Sequence, residues 1–317
     1  MEVKNKNILV TGGAGFIGTN LCNYLLNKKA NVICIDNLYS SKKKNIAMLL
    51  NNKRFSFLNI DIRKKLKIKK KIDGIFHLAC PASPPIYQIN PIMTLETCFI
   101  GSRNILDLAL INKCRILLAS TSEIYGDPLN HPQKEIYFGN VNTLGPRACY
   151  DEGKRISETL FYEYFKKNNL NVKIARIFNT YGPYLSINDG RVISNFLHQA
   201  LNNKEITIYG KGNQTRSFCY IDDLIDGLFK LFNHKDYIGA VNLGNPKEYT
   251  MNDLAKKILK ITKSQSKIVY EKLPKDDPLK RKPDIKKAKT ILKWAPKTTL
   301  DEGLLKIIEF YKTQIKI

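Results

Sequence analysis

Asn7-Ile-Leu-Val-Thr11 runs without a break into Gly12-Gly-Ala-Gly15-Phe16-Ile17-Gly18. The first five residues read as a short buried strand, and the pattern G-x-x-G-x-x-G that follows opens a helix to about Lys28. Gly12 permits the tight turn, Gly15 lets backbone approach a pyrophosphate, and Gly18 lets the helix lie close on the strand. Phe16 and Ile17 fall in the helix's first turn, whose N-terminus attracts phosphate.

The neighbouring segments give this turn its context. Asn31–Asp36 is a second apolar strand, and it ends in an acid eighteen residues beyond Gly18. An acid there accepts hydrogen bonds from ribose hydroxyls and repels a 2′-phosphate, which favours NAD over NADP. Asn37 follows it, and Ser40-Ser-Lys-Lys-Lys44 offers cations that would pair with a phosphate. Residues 54–58 read as a third strand, after which Asp61 and Ile62 either reach the adenine edge or simply end the strand. Residues 74–79 form the fourth strand, with His77 as a core residue and Leu78 and Ala79 on the cofactor side. Cys80-Pro-Ala-Ser-Pro84-Pro85-Ile-Tyr87 carries three prolines, so it is expected to be a rigid loop, neither helix nor central strand. One long helix is expected over 92–112 and a fifth strand over 115–120.

That strand ends in Thr121-Ser122-Glu123, at the same sheet edge as the glycine turn. Tyr150 and Lys154 are four apart, hence on one face of a helix over 147–167. A Lys beside a phenol favours phenolate, so the pair suits a general base, expected to titrate well below a free Tyr. With a hydroxyl at Thr121 and NAD bound upstream, the set describes hydride transfer at a carbinol. A sixth strand is expected over 172–178, and strands over 217–221 and Ala240–Leu243 are expected to return to the main sheet. Ile206–Tyr209 is a short strand; Met251–Thr262 and 300–311 are amphipathic helices; 273–283 is a basic loop.

The fold expected is α/β, a doubly wound Rossmann-type parallel sheet with a smaller C-terminal substrate-binding lobe. Residues 1–180, with a return segment at about 217–244, make the NAD-binding domain, and 181–317 make mainly the lobe. The 317 residues are 43% hydrophobic, enough for one large core, and contain no run of about 18 apolar residues to span a membrane. No signal-peptide core precedes the first strand, which argues for the cytoplasm. Seven scattered cysteines without a C-x-x-C pair fit reduced thiols, not a disulfide frame or a metal site. The net charge of +24 is mostly dispersed Lys, without a nucleic-acid-binding motif. It favours an anionic small molecule over nucleic acid as the partner.

The chain resembles the extended short-chain dehydrogenase/reductase family that acts on nucleotide sugars, and within it the UDP-glucuronate decarboxylases. The stretches that carry this are Leu78-Ala-Cys-Pro-Ala-Ser-Pro-Pro, Leu118-Ala-Ser-Thr-Ser-Glu-Ile-Tyr-Gly-Asp-Pro, Gly145-Pro-Arg-Ala-Cys-Tyr-Asp-Glu-Gly-Lys-Arg, Ala175-Arg-Ile-Phe-Asn-Thr-Tyr-Gly-Pro and Arg281-Lys-Pro-Asp-Ile. The resemblance implies a carboxy-lyase with tightly bound NAD that is reduced and re-oxidised within one cycle. Tyr150 is then the base at the sugar 4-hydroxyl, Lys154 its partner, and Thr121 the group that orients that hydroxyl. Glu123 and Ser122 sit near C5, where Glu123 or a water it holds returns a proton. Pro84, Pro85 and Tyr87 position the glucuronate end. Asn179, Arg191, Ile193, Ser194, Asn195, Phe196, Leu197, Tyr209, Gln214, Arg216 and Arg281 hold UDP and sugar. The resemblance also implies a homodimer through the helices over 92–112 and 150–167.

Three positions depart from the family pattern: Glu96 for Lys, Cys98 for Asn and Tyr184 for Arg. A nucleotide-sugar 4,6-dehydratase, a 4-epimerase and a decarboxylase releasing the 4-keto pentose remain as alternatives. Ser122 beside Glu123 counts against the first, because a dehydratase needs an acid there.

Overall fold

The structure is a computed structural model that describes residues 2–272 and 280–315. Its first half alternates strand and helix: β1 Asn7–Thr11, α1 Phe16–Asn27, β2 Asn31–Asp36, β3 Phe55–Asn59, β4 Gly74–His77, α2 Pro84–Tyr87, α3 Pro91–Glu96, α4 Ser102–Asn112, β5 Arg115–Thr121, α5 Ala148–Asn168 and β6 Val172–Ile177. The second half is finer grained: β7 Thr180–Tyr181, α6 Val192–Leu201, β8 Ile206–Tyr209, β9 Thr215–Ser217, β10 Cys219–Tyr220, α7 Ile221–Asn233, β11 Ala240–Leu243, β12 Glu248–Thr250, α8 Met251–Thr262, β13 Ile268–Glu271, β14 Lys280–Arg281, α9 Lys286–Leu292 and α10 Leu300–Ile315.

Seven parallel strands form the main sheet in the order β11-β6-β5-β4-β1-β2-β3. The doubly wound Rossmann-type expectation holds. Both faces are covered, so the central strands are largely apolar and their residues divide between two cores. Ile8, Val10, Val32 and Cys34 face the core that includes Leu21 and Leu25 of α1 and Leu224 and Leu228 of α7. Leu9, Ile33 and Ile35 face the other, with Ile105 and Ala109 of α4 and Phe161 of α5. Period two along the strand is therefore still present, hidden because both phases are hydrophobic.

Four expectations need correction. Residues 217–221 do not return to the main sheet: β9 joins β12 and β14, and β10 pairs with β7. Only β11 returns, and α7 between them covers the sheet. The proline-rich stretch does contain a helical turn, α2, because its prolines stand at the first helical positions, where no N–H is required. The single helix over 92–112 is broken by a π turn at Thr97–Gly101. The basic stretch 273–283 lies for residues 273–279 outside the described residues, while Lys280–Arg281 form an edge strand on β9.

Among the described residues no helix is long and apolar enough to cross a membrane.

Candidate active site

All seven strands point their carboxyl ends at one edge, and there a cleft of about 830 Å³ opens. Order reverses between β1 and β4, the place where such sheets bind ligands. The glycine turn forms one wall. Gly12 has φ +67°, and a Cβ there would stand 2.9 Å from the Ala79 backbone. A side chain at Gly18 would strike the Gly12 carbonyl. Gly15 instead faces the cleft, caps α1 without a side-chain hydrogen bond, and is followed by a first turn free of acids. The cradle and its positive helix end suit a pyrophosphate. Phe16, Ile17, Asn37, Leu78 and Ala79 line it as expected.

Asp36 is held on both oxygens: Oδ2 accepts from the Ala14 N–H at 3.0 Å, and Oδ1 from the Leu38 N–H and the Ser41 hydroxyl at 2.8 Å each. A carboxylate has about four lone-pair sites and three are taken, so one is left for a ribose hydroxyl. Asp61 and Ile62 line the same end. Arg63 holds the Asp61 carboxyl below its usual range, at 2.7 Å, and reaches Glu96 at 2.6 Å. The Glu96 departure thus has a cation of its own. Tyr184, another departure, lines the cleft at φ +68° and packs on Phe310.

At the centre stand Thr121, Tyr150 and Lys154, all buried and all lining the cleft. Tyr87 stacks flat on Tyr150, with centroids 5.1 Å apart and planes 2° from parallel. The Lys154 ammonium donates to the Ala119 carbonyl at 2.9 Å and stands 6.0 Å from the Tyr150 ring. The Tyr150 phenol is pushed well up from its ordinary value, by burial first, with the Thr121 hydroxyl working the other way. The depressed phenol expected from the Tyr–Lys spacing is not found: burial raises it, and the Lys154 ammonium stands 6.0 Å from the ring. His77 is a core residue as expected: it bonds Thr11 Oγ1 at 2.8 Å and Ser102 Oγ at 3.1 Å, and burial holds it neutral.

Glu123 is the second residue of the turn after β5, with Ser122 buried beside it. Its carboxylate accepts from both Arg147 and Arg281, the latter also through Nη2 at 3.0 Å. Burial opposes its charge, but the two guanidiniums prevail and hold the carboxyl down at about 2. In this state Glu123 carries no proton near neutrality. Arg281 pairs in register with Arg216, so two buried arginines are neighbours on the small sheet.

Arg147 and Asp151 were not marked as site residues by the sequence. Their only signal was a place in the stretch around Tyr150, Arg147 before it and Asp151 after it. Asp151 is 6% exposed, its Oδ1 lacks a hydrogen-bond partner, and burial, with Glu123 next, lifts its carboxyl to about 7. Unfolded, it would ionise near 3.8. The folded protein therefore binds the extra proton between about pH 4 and 7, and this group costs stability increasingly as pH rises through that window. Asp151→Asn is expected to raise the melting temperature by several degrees at pH 8 and by little at pH 4. Thermal scans at both pH values check this; equal shifts would remove the burial explanation.

Pro84, Tyr87, Asn179, Arg191, Ile193, Asn195, Phe196, Tyr209, Gln214, Arg216 and Arg281 line the remaining wall. Arg191 is engaged by Asp189, another residue the sequence did not single out, with Nη2 to Oδ1 at 3.0 Å. Three expected residues do not line the cleft. Pro85 is exposed and packs over Gly190. Ser194 is fully buried and donates to the Arg191 carbonyl at 2.7 Å, and Leu197 belongs to the core. Helical rotation explains the last two: α6 turns only part of its circumference to the cleft.

The NAD dependent epimerase/dehydratase family model matches residues 8–244. UDP-glucuronic acid decarboxylase 6 of Arabidopsis thaliana is 48% identical over 314 residues, covering 99% of this chain and 91% of that one. UDP-glucuronic acid decarboxylase 1 of Xenopus tropicalis is 47% identical over 315 residues, covering 99% and 74%. UDP-glucuronic acid 4-epimerase from Bacillus cereus, solved with UDP-glucuronic acid and NAD, superposes with TM-score 0.88 at 30% identity, covering 97% and 99%. UDP-glucose 4-epimerase from Thermotoga maritima, solved with UDP-glucose, gives 0.90 at 28% identity, covering 98% and 99%.

Proposed function

The chain belongs to the NAD dependent epimerase/dehydratase family, and from that membership we propose that it decarboxylates UDP-glucuronate to UDP-xylose. The observation that carries the choice among relatives is the Glu123–Arg147–Arg281 cluster opening on the same cleft as Tyr150 and Thr121. An enzyme that oxidises C4 and then breaks the bond to a carboxylate at C5 needs cations beside that carboxylate and a proton donor at C5. The two guanidiniums supply the cations, and the ionised Glu123 supplies an acceptor that can hold a water as the proton donor.

NAD, when bound along Gly12–Gly18 and Asp36, supplies a two-electron acceptor that later returns the same hydride. Tyr150 takes the proton of the 4-hydroxyl, and Thr121 orients it. Lys154 stands as a fixed cation that favours phenolate once the cofactor's own charge is added. The product is a 4-ketone with its carboxylate in the β position, so loss of CO2 leaves the electron pair in an enolate. That oxygen faces the Tyr150 phenol and the Thr121 hydroxyl, which stabilise it by hydrogen bonds. Because Glu123 is ionised, we assign the C5 proton to a water held between Glu123 and Arg281, not to the Glu123 carboxyl itself. Asn179, Arg191, Gln214 and Arg216 are assigned to the nucleotide and sugar. The NAD-binding domain is read as 1–180 with a return at 221–243, and the sugar-binding lobe as most of the remainder.

The test is incubation with UDP-glucuronate and NAD+, followed by separation of products. UDP-xylose and CO2 without net NADH support the reading. Accumulated 4-keto pentose with equimolar NADH marks a releasing decarboxylase. The C4 epimer without CO2 marks an epimerase and sinks the proposal.

We assign the reaction to the cytoplasm, which suits seven free thiols. The working unit is assigned as a homodimer. Ile92, Leu95 and Phe99 at one face of the α3 region, and Ile156 and Tyr162 on α5, are exposed to between 38% and 69%. A second copy would cover this apolar face. Sedimentation is expected to give twice the chain mass, and Ile92→Glu to shift it to the monomer; a wild-type monomer at micromolar concentration would refute the dimer.

A further inference from the structure

We infer that Cys80 and Cys98 form a reversible disulfide that shuts the cleft down under oxidation. Their sulfurs stand 3.3 Å apart, on segments 18 residues apart in sequence. Cys80 follows β4 in the cleft wall, and Cys98 lies behind it in the π turn between α3 and α4. A disulfide of about 2.0 Å requires the sulfurs to close by about 1.3 Å, within reach of side-chain rotation and a small backbone shift. Of the seven cysteines Cys80 alone lines the cleft, so an oxidant in solution reaches this pair through it. Cys98 is 2% exposed and is reached only through Cys80.

The hydrogen bond to Cys98 first, and then burial, push the Cys80 thiol up, which makes Cys80 the donor of the pair. The hydrogen bond from Cys80 lowers Cys98, with the Lys154 charge and the Ser157 hydroxyl adding to it against burial. A hydroperoxide is the oxidant. The Cys80 sulfur attacks its O–O bond while the Cys80 proton, relayed by the Cys98 sulfur, passes to the departing oxygen; the alcohol or water leaves, and Cys80 becomes a sulfenic acid. Cys98 then attacks that sulfur and expels hydroxide, which takes the Cys98 proton and leaves as water. Two thiols and one peroxide thus give a disulfide, an alcohol and a water. A dithiol reverses it by exchange.

The bond would be felt at the reaction centre because both sulfurs touch α5. Cys80 packs with Tyr87, Cys149 and Tyr150. Cys98 lies against Gly153, where an added Cβ would stand 3.0 Å from its sulfur. Gly153 immediately precedes Lys154. Drawing the sulfurs together moves the floor under Tyr150 and the turn that carries Lys154, and a sub-ångström error there is costly to hydride transfer.

The test treats the full-length protein with hydrogen peroxide and maps its thiols by mass spectrometry without reduction. A linked Cys80–Cys98 peptide, two hydrogens lighter than its separate halves, is expected. Turnover of UDP-glucuronate should fall at least ten-fold in step with it and return with dithiothreitol. Cys98→Ser should keep basal turnover and show no dithiothreitol-reversible loss. The mapping needs no activity, so it stands even if the substrate assignment fails. It also decides the matter if Cys98→Ser does not fold. Absence of the linked peptide, a link from Cys80 to Cys149 instead, full turnover in the linked protein, or reversible loss in Cys98→Ser would each overturn the switch.

Discussion

Tyr150→Phe is expected to lower turnover of UDP-glucuronate by about three orders of magnitude while leaving NAD affinity within about two-fold, the size of effect a positioned base supplies. The substitution removes one hydroxyl and keeps the ring. The ring stays stacked on Tyr87, and Lys154 keeps its hydrogen bond to the Ala119 carbonyl because it does not depend on the phenol. What disappears is the acceptor for the 4-hydroxyl proton and the later donor to the enolate. Single-turnover absorbance of NADH measures the first step alone. Burial pushes the phenol up, so the wild-type rate of that step should climb with pH as the base form is populated. The variant should be flat over the same range. A variant within ten-fold of wild type would remove Tyr150 as the base.

Glu123→Gln is expected to slow turnover by about a hundred-fold with little change in KM for UDP-glucuronate, the pattern of a group used mainly after binding. The amide keeps the shape but leaves Arg147 and Arg281 without their shared anion. It also cannot hold a water polarised for delivery to C5. Products should shift toward the oxidised intermediate, seen as NADH that persists; unchanged turnover would take Glu123 out of the mechanism. Stability gives a separate readout. Glu123 titrates at about 2 folded and near 4.5 unfolded, so its ion cluster stabilises fully above about pH 4.5 and is lost as pH falls toward 2. Acid unfolding of the variant should begin at higher pH than in wild type.

The strand–turn–helix at Asn7–Asn27, the acid at Asp36 and the hydroxyl and phenol at Thr121 and Tyr150 were all legible in the sequence. Each is a local statement. A glycine is required where backbone crowds backbone, a strand's carboxyl end fixes which sheet edge it serves, and four-residue spacing fixes a helix face. The parallel sheet followed from strands apolar in both phases. Helix faces were harder: Ser194 and Leu197 lie within a cleft-lining helix yet point into the protein. The path of 217–221 was misread because a short apolar stretch does not state which sheet edge will accept it.

The sequence by itself determined a dinucleotide fold with a hydride-transfer set at its edge. Only the tertiary structure decided the charge state of that set. Glu123 meets Arg281 from 158 residues away, and their encounter makes the carboxyl an anion. Burial, which no local spacing expresses, makes Tyr150 a neutral phenol and Asp151 a near-neutral acid. Cys80 and Cys98, 18 residues apart, became a pair only where the π turn at Thr97–Gly101 packs beside the end of β4. Local periodicity encodes which backbone forms and which face is buried. Protonation and pairing depend on desolvation and on the sum of charges within a few ångströms, and those distances exist only after the chain has packed.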